Sequence, residues 1–131
     1  MSHYNQLKGL IQELDCEILN EIPEEEILII SNEDRGIHQM ILDCEDDLLI
    51  IEQKLLQLKS LSVQECQELL KANRYLLFGA FVLDESGEQL IYRDTLELEN
   101  LDLNELEGSI NSLTLALVEN FELIERLAKT A

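Results

Sequence analysis

The feature that most constrains this chain is a succession of short apolar runs, each closed by a polar turn. Ile27 to Ile30 leads into Ser31-Asn32-Glu33-Asp34-Arg35-Gly36, and Ile37 to Leu42 leads into Asp43-Cys44-Glu45-Asp46-Asp47. Runs of this length are strand-sized and too short for a helix, while Gly, Asn, Asp and Ser supply turn geometry between them. Two such runs joined by a polar turn predict a β-hairpin. The next run is ambiguous. Leu48, Ile51, Leu55 and Leu58 have helical spacing, whereas the dense Leu-Leu-Ile-Ile start suits a buried strand. We favour a strand from Leu48 to about Gln53, because a third strand stabilises an otherwise marginal hairpin; a helix over residues 48–58 is the alternative.

Helical patterns flank this block. Leu7, Leu10, Ile11, Leu14 and Ile18 recur at steps of three and four, predicting a helix from Tyr4 to Leu19 that Pro23 prevents from continuing. Ser62-Val63-Gln64-Glu65 has capping-box spacing and opens a second helix to about Arg74. Tyr75 to Leu83 is almost wholly apolar and reads as a strand, with Gly79 marking a bulge or a close backbone approach. Gln89 to Glu99 alternates, with Leu90, Tyr92, Leu96 and Leu98 on one face, and completes a second hairpin. Asp102, with Glu105 three residues on, starts a final helix of about 27 residues, roughly 40 Å long. Gly108 inside it costs about 1 kcal/mol that packing must offset. The order helix, three strands, helix, two strands, long helix predicts one α+β domain over residues 1–131, built on an antiparallel sheet.

Charge narrows the partners. The 131 residues carry 28 Asp and Glu against 9 Lys and Arg, a net −19, yet 46% are hydrophobic. That hydrophobicity argues for a folded core and against a disordered acidic tail. The charge argues against nucleic acid, whose binding needs cations to displace counterions, and against anionic membrane surfaces. No apolar run approaches the roughly 20 residues of a membrane span, and the first residues lack the pattern of a secretory signal. Cys16, Cys44 and Cys66 are odd in number and far apart, so reduced thiols in the cytoplasm are expected, with Cys44 and Cys66 buried and inert.

No catalytic constellation emerges. His38 and Cys44 stand six positions apart on one predicted strand, roughly 20 Å, too far for a thiol–imidazole pair. The acidic turn at residues 43–47 has neither the Gly nor the distal Glu of a calcium loop. There is no zinc spacing and no Gly-rich phosphate cradle, so neither metal nor cofactor is expected, and the chain is expected not to be an enzyme. A hydrolase built on paired carboxylates would need two acids converging in one pocket. The broad apolar stripe of the last helix and the Leu- and Ile-rich strands either pack wholly into one core or require a second copy; we expect a homodimer.

The segment Leu69-Leu70-Lys71-Ala72-Asn73-Arg74-Tyr75-Leu76-Leu77-Phe78-Gly79-Ala80-Phe81-Val82-Leu83-Asp84, followed by Leu90-Ile91-Tyr92-Arg93 and an acid-capped leucine-rich helix, resembles the C-terminal half of type III secretion chaperones of the CesT/Tir-chaperone type. The related YbjN-like fold matches nearly as well. The element order extends the resemblance over almost the whole chain. It implies a non-enzymatic, acidic, cytoplasmic homodimer that holds an unfolded segment of a client protein. It places Val63, Cys66, Leu69, Leu70, Phe78 and Phe81 as dimer-interface candidates, and Ile27, Ile29, Met40, Leu42 and Leu49 as client-binding candidates. For any one of these, ordinary core burial is the competing role. An adaptor or regulatory protein of the same fold, without a secretion client, is the alternative function.

Overall fold

In the computed structural model, which describes residues 2–129, helix α1 (Ser2–Glu13) is followed by strands β1 (Glu17–Ile22), β2 (Ile27–Asn32), β3 (Ile37–Glu45) and β4 (Leu48–Gln57). Helix α2 (Val63–Asn73), strands β5 (Ala80–Leu83) and β6 (Gln89–Glu97), and helices α3 (Leu103–Glu119) and α4 (Phe121–Lys129) complete the chain. The strands form one antiparallel sheet in the order β1-β2-β3-β4-β6-β5. The α+β class, the antiparallel sheet and the two expected hairpins are all present. Residues 48–57 are strand, paired with β3 on one side and β6 on the other.

Three elements depart from the sequence reading. The first helix does not reach Leu19. Leu14 turns back onto the Ile11 carbonyl (3.0 Å), Asp15 adopts a left-handed conformation at φ 61°, and residues 17–22 form the edge strand β1. Ile18 continues the helical spacing of Leu14 by coincidence; its tertiary partner across the sheet is Ile30. The expected strand from Tyr75 shrinks to Ala80–Leu83. The Ser112 hydroxyl donates to the Phe78 carbonyl (2.6 Å) and accepts from the Phe78 N–H (3.1 Å), so neither group is free for a sheet ladder. The last helix breaks at Asn120, whose side-chain amide donates to the Ala116 carbonyl (3.0 Å). The turn lets Leu123 and Leu127 of α4 reach Leu69, Phe81 and Leu90.

All four helices cover one face of the sheet. Leu28, Ile30, Met40, Leu42, Leu49, Ile51 and Tyr92 point to that face and bury against Leu7 and Ile11 of α1 and Leu106, Ile110 and Leu113 of α3. A second cluster joins Leu69 of α2, Phe81, Leu90, Ala116, Leu123 and Leu127. Both capping boxes form as the spacing predicts: Ser62 with Glu65, and Asp102 with Glu105, each satisfying two otherwise orphaned N–H groups. Where β3 runs past its pairing with β4, the buried Gln53 side chain replaces the ladder. It accepts from the His38 N–H and donates to the Gly36 carbonyl, both at 2.9 Å.

Candidate functional site

The segment from Leu69 to Phe81 folds into a clamp against α3 and the edge of the sheet. Asn73, the last residue of α2, donates to the Phe81 carbonyl (3.1 Å) and accepts from the Phe81 N–H (2.7 Å). This closes part of the outer edge of β5, where unpaired backbone groups would otherwise invite another strand. Gly79 sits at φ 72°, and a Cβ there would lie 2.5 Å from the Tyr92 hydroxyl oxygen. This is the close approach expected at Gly79, made at the threshold of β5 and not within it. Tyr92 donates to the Ser109 carbonyl (2.9 Å) from a buried ring. Phe78 lies over Gly108, where a Cβ would stand 3.3 Å from its ring, so the glycine inside α3 is matched to an aromatic neighbour.

Beside this clamp, α2 and β5 enclose an apolar groove of about 290 Å³ lined by Leu61, Cys66, Leu69, Leu70, Phe81 and Val82 among others. Four of the six dimer candidates therefore meet in one place. Leu69 and Phe81 form its buried floor, Cys66 is half-buried in its wall, and Leu70 stands at its rim, 70% exposed. Val63 and Leu70 share a helical face with Cys66, and Val63 is 76% exposed. Phe78 does not line the groove, since its ring turns toward α3.

Among the described residues no helix lies over the opposite face of the sheet. Side chains there come from the alternate positions: Ile22, Ile27 and Ile29 of β1 and β2, Ile41 of β3, Ile50 of β4 and Ile91 of β6, all half-buried except the exposed Ile41. Of the client candidates, Ile27 and Ile29 belong to this open face. Met40, Leu42 and Leu49 point the other way and have no exposed surface; their strand neighbours Ile41 and Ile50 are the ones that lie on the open face. The two overlooked isoleucines had a signal in the sequence. A sheet with one solvated face alternates apolar and polar residues. The unbroken runs Ile27-Leu28-Ile29-Ile30 and Leu48-Leu49-Ile50-Ile51 do not alternate, so both faces of these strands carry apolar side chains.

Charge is unevenly placed on the open face. Glu52 and Arg93 form an ion pair across β4 and β6. Asp43 is half-buried between Ile27 and Ile50 of the neighbouring strands, and one of its carboxylate oxygens is fully buried without a hydrogen bond. Burial, and then the nearby carboxylates of Glu45, Glu25 and Glu52, push its carboxyl above the ordinary range. On the covered face, by contrast, Glu21 accepts from the Tyr4 hydroxyl and pairs with Lys8, both at 3.0 Å, and its carboxyl is held below the ordinary range by Lys8 and then Tyr4.

The candidate catalytic groups stay apart. His38 is exposed and rests on Glu33 (3.2 Å), whereas Cys44 is buried, with its thiol pushed up to about 11 by burial and then by Glu26 and Asp43. The three cysteines are free; Cys66 is half-buried, more open than the sequence reading has it. The acidic run 43–47 ends β3 and turns through Asp46-Asp47 into β4. No cluster of metal-ligating side chains occurs among the described residues. No helix among them is long and apolar enough to cross a membrane.

This six-stranded antiparallel sheet with helices on a single face is shared with solved secretion chaperones. The structure is similar to the Yersinia pestis type III secretion chaperone SycH, solved in complex with a stable fragment of YscM2, with a TM-score of 0.64 and 15% identity over 89% of this chain and 98% of that one. It is similar to the HopA1-SchA chaperone-effector complex, with a TM-score of 0.61 and 16% identity over 97% of this chain and 94% of that one. It is likewise similar to YbjN, described as a putative transcription regulator from E. coli, with a TM-score of 0.69 and 13% identity over 91% of each chain. No curated protein matches the sequence. The CesT_Tir_1 family model matches residues 1–130, and the chain belongs to that family.

Proposed function

We propose that this protein is a non-enzymatic cytoplasmic chaperone that holds an unfolded segment of a client protein on the open face of its sheet. The observation that carries this reading is the uncovered apolar face itself: Ile27, Ile29, Ile41 and Ile50 lie side by side on strands whose other face is already fully packed. Surface of this kind on a domain whose core is complete is spare for a partner. Family membership supports the reading, as does the fold shared with chaperones solved with a fragment or an effector. Free thiols agree with a reducing compartment. A single domain would present this face, and we assign self-association to the α2 groove, where Val63, Cys66 and Leu70 supply accessible surface over the floor of Leu69 and Phe81.

A second reading, an adaptor or regulator without a secretion client, is favoured by the likeness to YbjN. The two readings separate by copurification and proteolysis. A chaperone isolated from its own cells carries a polypeptide segment that resists protease while bound, and the pair Ile41→Asp and Ile50→Asp loses it without unfolding. An adaptor carries no unfolded segment, and the isoleucine substitutions leave its partners unchanged. Leu70→Glu tests the groove: it should shift the sedimentation of a dimer to that of a monomer, and unchanged sedimentation would remove α2 from the interface.

A further inference from the structure

We propose that the open sheet face selects a cationic amphipathic segment, one that sets Lys or Arg against the Asp43–Glu45–Glu97 corner while its apolar side chains rest on Ile27, Ile41 and Ile50. This inference rests on the open face being the client surface, and it adds the chemistry of the client. The register places the groups. Ile27 pairs with Asp43, and Asp43 with Ile50; Glu45 pairs with Leu48, and Leu48 with Glu97. Apolar and acidic side chains thus interleave on one surface. Of the two described cations of this face, one is bound to an acid and the other to a neutral amide. Arg93 is paired with Glu52, and Lys54 donates to Gln57 (3.1 Å). Asp43, Glu45 and Glu97 have no ion-pair partner among the described residues, and Asp43 keeps one buried oxygen without a donor.

Charge decides which occupant fits. A second copy docking this face on itself would bring two copies of the same acid-rich patch together. Asp43, Glu45 and Glu97 of each −19 chain would then share the contact with only Lys54 of each chain not already paired to an acid, a like-charge excess that opposes it. Phosphate backbones and anionic lipid are repelled for the same reason. An uncharged apolar segment would cover the isoleucines and leave the corner carboxylates desolvated without partners. A segment carrying Lys or Arg among apolar residues satisfies both components. From β2 to β6 the face is about 14 Å wide, three strand spacings, which four or five extended residues can cross.

The test uses the full chain and three fluorescein-labelled peptides with the same apolar residues, whose polar positions are all Lys, all Gln or all Glu. Fluorescence anisotropy should show the Lys peptide binding about tenfold more tightly than the Gln peptide, with the Glu peptide weakest. The Lys preference should fall as NaCl rises from about 50 to about 500 mM, as screening of exposed charges requires. Asp43→Asn with Glu45→Gln and Glu97→Gln should reduce that preference several-fold and tighten Gln-peptide binding, since no carboxylate is then desolvated; retained Gln-peptide binding also reports that the variant is folded. Removing three acids from the helical side, Glu119→Gln, Glu122→Gln and Glu125→Gln, should leave the preference intact. Equal binding of all three peptides, or equal effects of the two triple variants, would overturn this inference alone. Binding of none would overturn the client-face reading together with it.

Discussion

Replacing Asn73 by Ala removes the side chain that closes part of the outer edge of β5. Two partly buried hydrogen bonds to Phe81 are lost, one in each direction, at 2.7 and 3.1 Å. Each is worth roughly 1 kcal/mol net in a setting where water can partly replace it. Ala at the last position of α2 returns about 0.5 kcal/mol of helix propensity. The balance is a loss of about 1.5 kcal/mol, which at this chain length lowers Tm by about 4 to 7 °C. Urea denaturation reads the total, and amide exchange reads its source. The Phe81 N–H bonds Asn73 and not a neighbouring strand, so its protection should fall about tenfold more than that of Val82 or Ile91. If global stability falls while Phe81 retains its protection, the loss comes from elsewhere and the clamp is not what holds this edge. A stability change under about 0.5 kcal/mol would show that water serves Phe81 as well as Asn73 does.

Two further substitutions probe the groups around this clamp and on the open face. Gly79→Ala places a side chain at φ 72° and 2.5 Å from the Tyr92 hydroxyl oxygen. Left-handed strain of about 1 to 2 kcal/mol and overpacking of about 1 to 3 kcal/mol should together move the urea midpoint clearly downward, and an unchanged midpoint would contradict the contact. Asp43→Asn should stabilise the fold near neutral pH. Because the folded Asp43 carboxyl titrates above its unfolded value, its ionisation opposes folding. That penalty is fully present above the folded pKa, and it disappears as pH falls through the folded and then the unfolded value. The Tm advantage of the Asn variant should therefore shrink on acidification, and an advantage independent of pH would refute the assignment.

Much of the architecture was legible because local chemistry and tertiary packing agree. Both capping boxes, the 27–42 hairpin and the alternating strand at 89–97 follow from residue type and spacing alone. The failures arise where one periodicity serves two structures. Ile18 extends a helical stripe and also suits an edge strand, and only its pairing with Ile30 makes it strand. The stripe from Leu103 to Ala128 is continuous in sequence, yet Asn120 divides it so that both halves reach the core. In the same way the tract from Tyr75 to Leu83 is apolar throughout, but Ser112, thirty-four residues beyond Phe78, takes the backbone out of the sheet.

The site divides along the same line. Sequence alone determined an acidic α+β chain with widely spaced cysteines and more apolar strand surface than one helical layer needs, because composition, caps and run lengths act locally. Which isoleucines remain open was decided by tertiary structure. Adjacent residues of a strand face opposite ways, so Ile41 and Leu42 differ only in which side α1 and α3 cover. The gathering of Cys66, Leu70 and Phe81 around one groove follows from the packing of α2 beside β5, and that of Asp43, Glu45 and Glu97 at one corner of the open face from strand order and register. Those depend on contacts between residues far apart in the chain, which no local pattern encodes.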